Sequence, residues 1–388
     1  MSRTRILSLP SIATSARLFS VSARIQANRA IVYSHNGQPA DVVRALTIPN
    51  LTPPPPQTVN LRFVLSPINP ADVNVIEGVY PSKPQPSSFP GVQGSVFVGG
   101  NEGLGEVTGV GEGVRSLKRG DWVVMKTSQL GTWRSAANVP EEQLLKVPRL
   151  EGLSEVNAAT MMVNPATAYC LLSDFVALKR GHWVVQNGAN SAVGQAVIQL
   201  ARNAGLKTIN FVRSRDDIDV LRQELQDLGA THVLTYDELD DKKAVKAKVK
   251  EWTNGQDILL GLNCVGGEST MAMAGLLGSN AHLVTYGAMA KRPVPIPASF
   301  YIFKNLTSHG FWLSRWYNEN GERKIKLVEK LARIMASGKF KEPKHEIVTI
   351  EKEASEEQAS STISEVFRRI ALGSLRKKVI LNVKGDDK

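Results

Sequence analysis

The sequence predicts an α/β protein in two parts, a β-rich first part followed by a doubly wound parallel sheet. Three observations point to it. Up to about residue 160 the chain reads as short apolar strands separated by proline- and glycine-rich turns. Beyond that point strands alternate with amphipathic helices. Between Trp183 and Gly205 a strand, a tight turn of small residues and a helix follow one another directly. At 388 residues the chain is long enough for two domains and a substantial core.

The first thirty residues stand apart. They hold Arg3, Arg5, Arg17, Arg24 and Arg29, many serines and no acid; the first acid is Asp41. That is the composition of a mitochondrial presequence. Residues 1–28 are assigned to one, with cleavage expected between Arg17 and Arg29. Ile6-Leu7-Ser8-Leu9-Pro10 is too broken for the apolar core of a secretory signal, and a disordered basic tail is the alternative. Removing five arginines takes the formal net charge from +11 to about +6, which favours an acidic partner or substrate.

The β-rich part is assigned to residues 29–160. Its strands are Ala30–Tyr33, Val59–Leu65, Gly105–Val110 and Asp121–Met125. Pro53 to Pro56 and Pro81, Pro84, Pro86 and Pro90 mark rigid loops between them.

The second part is assigned to residues 161–338. Asn164-Pro165 reads as a helix start, with asparagine as N-cap and proline at the first position. Trp183-Val184-Val185 is a strand, and Val193, Val197, Leu200 and Ala204 lie along one face of the helix after it. The turn between them lets backbone approach a pyrophosphate, while the helix N-terminus offers free N–H groups and a positive dipole end. Where G-x-G-x-x-G would stand, the chain has Ala189, Ser191 and Gly194; a glycine needed only for strand–helix packing would look the same. The next strand, Thr208–Val212, ends in Arg213-Ser214-Arg215, about 19 residues past Gly194. An acid there would accept from the 2′-hydroxyl of NAD; two arginines suit the 2′-phosphate of NADPH. A solvated basic loop is the plain alternative. Strand Asp257–Cys264, helix Thr270–Leu277, strand His282–Tyr286 and helix Lys324–Met335 continue the alternation. Residues 339–388 return to a mixed pattern that ends on strand Lys378–Leu381, and they are assigned back to the first domain.

Composition closes off several classes. Two cysteines, Cys170 and Cys264, exclude a disulfide framework and a four-cysteine zinc lobe, and both read as buried structural thiols. No apolar run approaches the length of a membrane span. The six histidines show no paired metal spacing. There is no G-x-S-x-G elbow, and the only Gly-Lys precedes Phe340 rather than Ser or Thr.

A β-rich domain, a nucleotide domain and a returning tail resemble the medium-chain dehydrogenase/reductase superfamily. The resemblance implies a GroES-like catalytic domain and a Rossmann cofactor domain. The loop Gly99-Gly100-Asn101-Glu102-Gly103-Leu104-Gly105 matches that superfamily's G-H-E-x-x-G segment, with Asn101 where zinc-dependent members have a histidine ligand. The upstream cysteine ligand falls on Asn69. A neutral amide is a poor zinc ligand, so no metal is expected and reduction of a polarised C=C bond is the natural remaining hydride chemistry. The runs SPINPADVNVIEGVYPSKP, GGNEGLGEV, NPATAY, QNGANSAVGQAVIQLA, LNCVGG, VTYGAMAK and FKNLTSHGFWLSRW together resemble the mitochondrial trans-2-enoyl-thioester reductases of organellar fatty acid synthesis. That family reduces enoyl thioesters with NADPH in the mitochondrial matrix and is typically a homodimer.

The resemblance implies roles residue by residue. Tyr80 matches the proton-donating tyrosine, and Asn164 a residue at the nicotinamide end. Asn190, Ser191, Ala192 and Val193 match the pyrophosphate turn; Arg213, Ser214 and Arg215 match the 2′-phosphate site. Tyr286, Gly287, Ala288 and Met289, with Phe311, Trp312, Leu313 and Ser314, match segments lining the cofactor. Lys377 matches a C-terminal lysine that contacts NADPH, a role Lys378 takes under a one-residue shift. The implied partners are the enoyl thioester and an acidic acyl carrier protein. Two rivals stay open: a quinone oxidoreductase on the same fold, and a nucleic-acid-binding protein on an inactive one. The second lacks any interleaved basic–aromatic stretch.

Overall fold

Six parallel strands make the sheet of the second half. Across the sheet they run His232–Thr235, Lys207–Val212, Trp183–Gln186, Leu260–Asn263, His282–Thr285 and Thr307–Gly310. Counted along the chain the order is 3-2-1-4-5-6, which reverses beside the first strand. Such a reversal opens a crevice at the carboxyl ends of the strands, where dinucleotides bind. All four residues of Trp183–Gln186 and of Leu260–Asn263 are buried, as expected of central strands covered by helices on both faces. The helix Ala192–Asn203 follows the first strand, with Ser191 as its N-cap: the Ser191 hydroxyl accepts from the Gly194 N–H at 3.1 Å.

The structure, a computed structural model, describes residues 27–89, 92–373 and 377–386. In the β-rich half, strand Thr58–Pro67 pairs antiparallel with Leu104–Val110, Ala136–Pro140 and Lys378–Val383. The C-terminal strand therefore joins the sheet of the β-rich half, with Leu381 opposite Ser66 and Ile380 opposite Pro67. Helix Glu356–Ala371 packs Ala359, Ile363, Val366 and Phe367 inward, a helical stripe on a tail that reads as mixed pattern in sequence. Its start is a capping box between Ser355 and Gln358.

Several boundaries differ from the sequence reading. Helix Asn164–Ser173 has Val163 at its N-cap, so Asn164 stands at the first helical position and Pro165 at the second. The Asn164 side chain is thereby free to act elsewhere. The strand read as Asp257–Cys264 is Leu260–Asn263, and the helix read as Thr270–Leu277 is Glu268–Ala274.

A further difference lies at the N-terminus. Residues 1–26, including most of the proposed presequence, lie outside the described residues. Strand Ala27–Tyr33 already pairs at Asn28 with Ile48, and Arg29 is 5% exposed. The Arg29 guanidinium donates to the backbone carbonyls of Lys352, Ala354 and Ser355 at 3.3, 2.6 and 3.5 Å. Arg29 is thus a structural cation that clamps the tail. Without it the segment 1–28 carries four arginines, so the remaining body keeps about +7 of the formal +11. Cleavage is therefore expected ahead of Ala27. N-terminal sequencing of the mature protein should start between residues 18 and 27, and an intact Met1 or Ser2 start would show that no presequence is removed.

Candidate active site

Tyr80 is set by the helix before it. Pro70–Ile76 ends where Gly78 turns left-handed (φ 81°), and a Cβ there would fall 2.9 Å from Asn36. The N–H groups of Val79 and Tyr80 both donate to the Asn74 carbonyl, at 3.0 and 3.2 Å. This aims the phenol across the cleft, where its oxygen accepts the Trp312 indole N–H at 2.9 Å. The two rings meet edge to face, with centroids 6.2 Å apart. Trp312 comes from the other half, immediately before helix Leu313–Glu319. A second contact across the same cleft joins Ser128 and Ser314 hydroxyls at 3.4 Å. Because the Tyr80 oxygen accepts, its own proton remains available to donate.

A buried polar network lies on the β-rich side. Asn69 is 2% exposed, and its side-chain oxygen accepts from Lys378 Nζ at 2.5 Å and from the Asn164 amide at 3.2 Å. Its Nδ2 donates to Glu102 Oε2 at 2.9 Å, while Glu102 Oε1 accepts from the Val163 N–H at 2.7 Å. Asp72 accepts from the Asn69 backbone N–H at 2.7 Å. Burial pushes the Asp72 carboxyl up to about 7, raises Glu102 and lowers the Lys378 ammonium. Asn101 faces elsewhere, its side-chain oxygen accepting from the Gln129 N–H at 2.6 Å. Both positions where a zinc ligand would stand are thus amides committed to hydrogen bonds. Among the described residues no three His, Cys, Asp or Glu side chains form a group able to hold a metal.

On the sheet side, Asn190, Ser191, Ala192 and Val193 form the turn and first residues of helix Ala192–Asn203, whose first N–H groups point into the crevice. Gly188 is left-handed (φ 59°), and a Cβ there would fall 2.4 Å from Cys264 Sγ; one on Gly194 would fall 2.6 Å from the Ala189 carbonyl oxygen. The backbone here is bare because a side chain does not fit. Tyr286 follows strand His282–Thr285, its N–H donating to the Asn263 carbonyl at 2.9 Å. Its hydroxyl is buried beside Cys264 and Ser191 yet completes no hydrogen bond of normal geometry. Burial, with Cys264 next to it, lifts that phenol well above its ordinary value. Gly287 packs against Cys264; Ala288 and Met289 are exposed. Phe311 continues from Thr307–Gly310 and donates its N–H to the Thr285 carbonyl at 2.9 Å. Arg213 and Ser214 are exposed at the end of Lys207–Val212, Arg215 is half-buried, and neither arginine makes an ion pair among the described residues. A bare turn, a helix N-terminus, an unsatisfied buried hydroxyl and two free guanidinium groups fit a phosphorylated dinucleotide.

One candidate stands apart. Lys377 is exposed, and the neighbouring Lys378 is the lysine that reaches Asn69. Among the residues that sequence reasoning did not connect are Asp72, Ser128 and Lys324. Lys324 is 1% exposed and donates to the Lys126 carbonyl, with its ammonium 3.9 Å from the Tyr317 ring centre. Burial pulls it down to about 8.

The alcohol dehydrogenase GroES-like domain matches residues 55–149, and the zinc-binding dehydrogenase domain matches residues 192–330. The mitochondrial enoyl-acyl-carrier-protein reductase of Schizosaccharomyces pombe is 42% identical over 329 residues, 84% of this chain and 88% of its own length. The chain belongs to the mitochondrial enoyl-acyl-carrier-protein reductase family. The human member is 41% identical, again over 84% of both chains. Among solved structures, the mitochondrial 2-enoyl thioester reductase Etr1p/Etr2p heterodimer of Candida tropicalis superimposes with a TM-score of 0.84 at 34% identity, covering 92% of this chain and 99% of its own. An Etr1p complex with NADP and crotonyl-CoA gives 0.85 at the same identity and coverage. A quinone reductase from Bacillus thuringiensis, at 22% identity and a TM-score of 0.72, shares the fold. The chain thus matches a domain named for zinc, yet Asn69 and Asn101 stand where the resemblance places zinc ligands.

Proposed function

We propose that the protein reduces trans-2-enoyl thioesters to saturated acyl thioesters in mitochondrial fatty acid synthesis, with NADPH as reductant. The observation that carries this reading is the Tyr80 hydroxyl, held by Trp312 across the cleft with its proton free. Bound NADPH supplies the hydride that C3 of the enoyl thioester receives. Asn190 to Val193 would hold the pyrophosphate at the helix N-terminus, and Arg213 with Arg215 the 2′-phosphate. Tyr286 to Met289 and Phe311 to Ser314 would wall the nicotinamide side. Asn164, tied to Asn69, would meet the nicotinamide, with Lys378 rather than Lys377 as the C-terminal lysine. Charge that develops on the thioester oxygen needs donors in a water-poor cleft, and Tyr80 delivers a proton toward C2. Residues 29–160 and 339–388, with Ala27 and Asn28 added, would form the catalytic domain, and 161–338 the cofactor domain.

NADPH oxidation with crotonyl thioester and with a quinone tests this directly. Saturable oxidation with the thioester alone is expected; oxidation with the quinone alone would transfer the protein to the rival reading.

An acidic acyl carrier protein is the carrier we propose, since the body keeps about +7. The rate constant for carrier-bound substrate should then fall as salt rises. A flat salt profile would remove electrostatic docking and leave the chemistry intact. A homodimer is supported by the exposed Tyr301, Ile302 and Phe303 of helix Ala298–Lys304, which precedes the open edge strand Thr307–Gly310.

A further inference from the structure

Three neighbouring strands of the parallel sheet end at one corner of the crevice: Trp183–Gln186, Lys207–Val212 and His232–Thr235. Just past their carboxyl ends stand Gly188, Arg213 and Tyr236. The Tyr236 N–H donates to the Val212 carbonyl at 3.0 Å, which fixes it beside Arg213. Its side chain then reaches back over the middle strand, and its hydroxyl accepts the Gly188 N–H at 2.8 Å. The phenol thus bridges the bare turn and the arginine end of the second strand.

The oxygen is an acceptor in that bond, so its proton is left to donate, and no acceptor for it stands among the described residues. Burial pushes the phenol up to about 12 although Arg213 pulls the other way, so the group stays a donor at any physiological pH. A dinucleotide with its pyrophosphate on the first turn and its 2′-phosphate at Arg213 lays the adenosine ribose between them. The free O–H lies along that path.

We propose that Tyr236 donates its hydroxyl proton to the 2′-phosphate of the adenosine ribose and, with Arg213, selects NADPH over NADH. The assignment rests on the NADPH reading above. A hydrogen bond to a phosphate dianion is charge-assisted and stronger than one to the 2′-hydroxyl of NAD, so the donor discriminates. Tyr236 also supports the turn through Gly188, and the test must separate the two roles.

Binding of adenosine 2′,5′-bisphosphate and of 5′-AMP to the protein without reductant or substrate, measured by calorimetry, separates them. Wild type should prefer the bisphosphate. Tyr236→Phe should weaken bisphosphate binding about tenfold, or about 1.4 kcal/mol, with 5′-AMP changed less than twofold. In an Arg213→Ala background the same substitution should cost clearly less, because the two residues share one phosphate. An unchanged bisphosphate affinity overturns the proposal while the NADPH reading stands. Should both ligands weaken, the cycle decides. An interaction with Arg213→Ala seen for the bisphosphate alone upholds the phosphate contact, and its absence reduces Tyr236 to a prop for the turn. A wild type that binds both ligands equally overturns this proposal and the NADPH reading together.

Discussion

Tyr80→Phe should lower kcat by about 10²–10⁴, the usual contribution of a positioned acid. Hydride arrival at C3 leaves negative charge spread over C2 and the thioester oxygen, and a proton must reach C2 from somewhere. A phenol carries an O–H that can donate. The Tyr80 oxygen is occupied as an acceptor by the Trp312 N–H, which leaves donation as its remaining role. Phenylalanine keeps the ring that meets Trp312 edge to face, so the loop and the cofactor cradle should survive. NADPH affinity should therefore stay close to wild type, and the loss should appear in kcat. A fall smaller than tenfold, with chemistry shown to limit the rate, would make water or another hydroxyl the donor and Tyr80 only a wall.

Replacing Arg213 and Arg215 together by alanine should have the second large effect. Each charge-assisted hydrogen bond to the 2′-phosphate is worth about 1.5–3 kcal/mol. The pair should cost at least about tenfold, and up to about 10⁴, in kcat/KM for NADPH. Neither guanidinium forms an ion pair among the described residues, so little of the fold depends on them. NADH activity should be nearly unchanged. An equal loss for both cofactors would mean that the arginines hold the loop instead.

The parallel sheet was the most legible part of the molecule. Its strands are short apolar runs with helical periodicity between them, and that context is what gives the small-residue turn at 188–194 its meaning. Element ends were less legible. Asn164 satisfies the composition of an N-cap, yet one residue of displacement puts it inside the helix and sends its amide to Asn69. Lys377 and Lys378 illustrate the same sensitivity at the start of a strand, where successive side chains face opposite ways. Only strand pairing decides which of two adjacent lysines reaches the network, and Ile380 opposite Pro67 decides it for Lys378. Lys324 looks like an ordinary solvated helix lysine because Lys126 is remote in sequence and the approach of Tyr317 depends on how two successive helices turn against each other. Tyr236 was invisible for a related reason. Its partners Gly188 and Arg213 are brought to it by strand order, which sequence periodicity does not carry.

In the proposed reaction a hydride reaches C3 of an enoyl thioester and a proton then reaches C2. Turnover of crotonyl thioester with NADPH deuterated at the transferred position, followed by mass spectrometry and NMR of the butyryl product, measures it. One deuterium is expected at C3 and none at C2, with C2 labelled only when the solvent is heavy water. Deuterium at C2 in ordinary water, or a product without label, would contradict it.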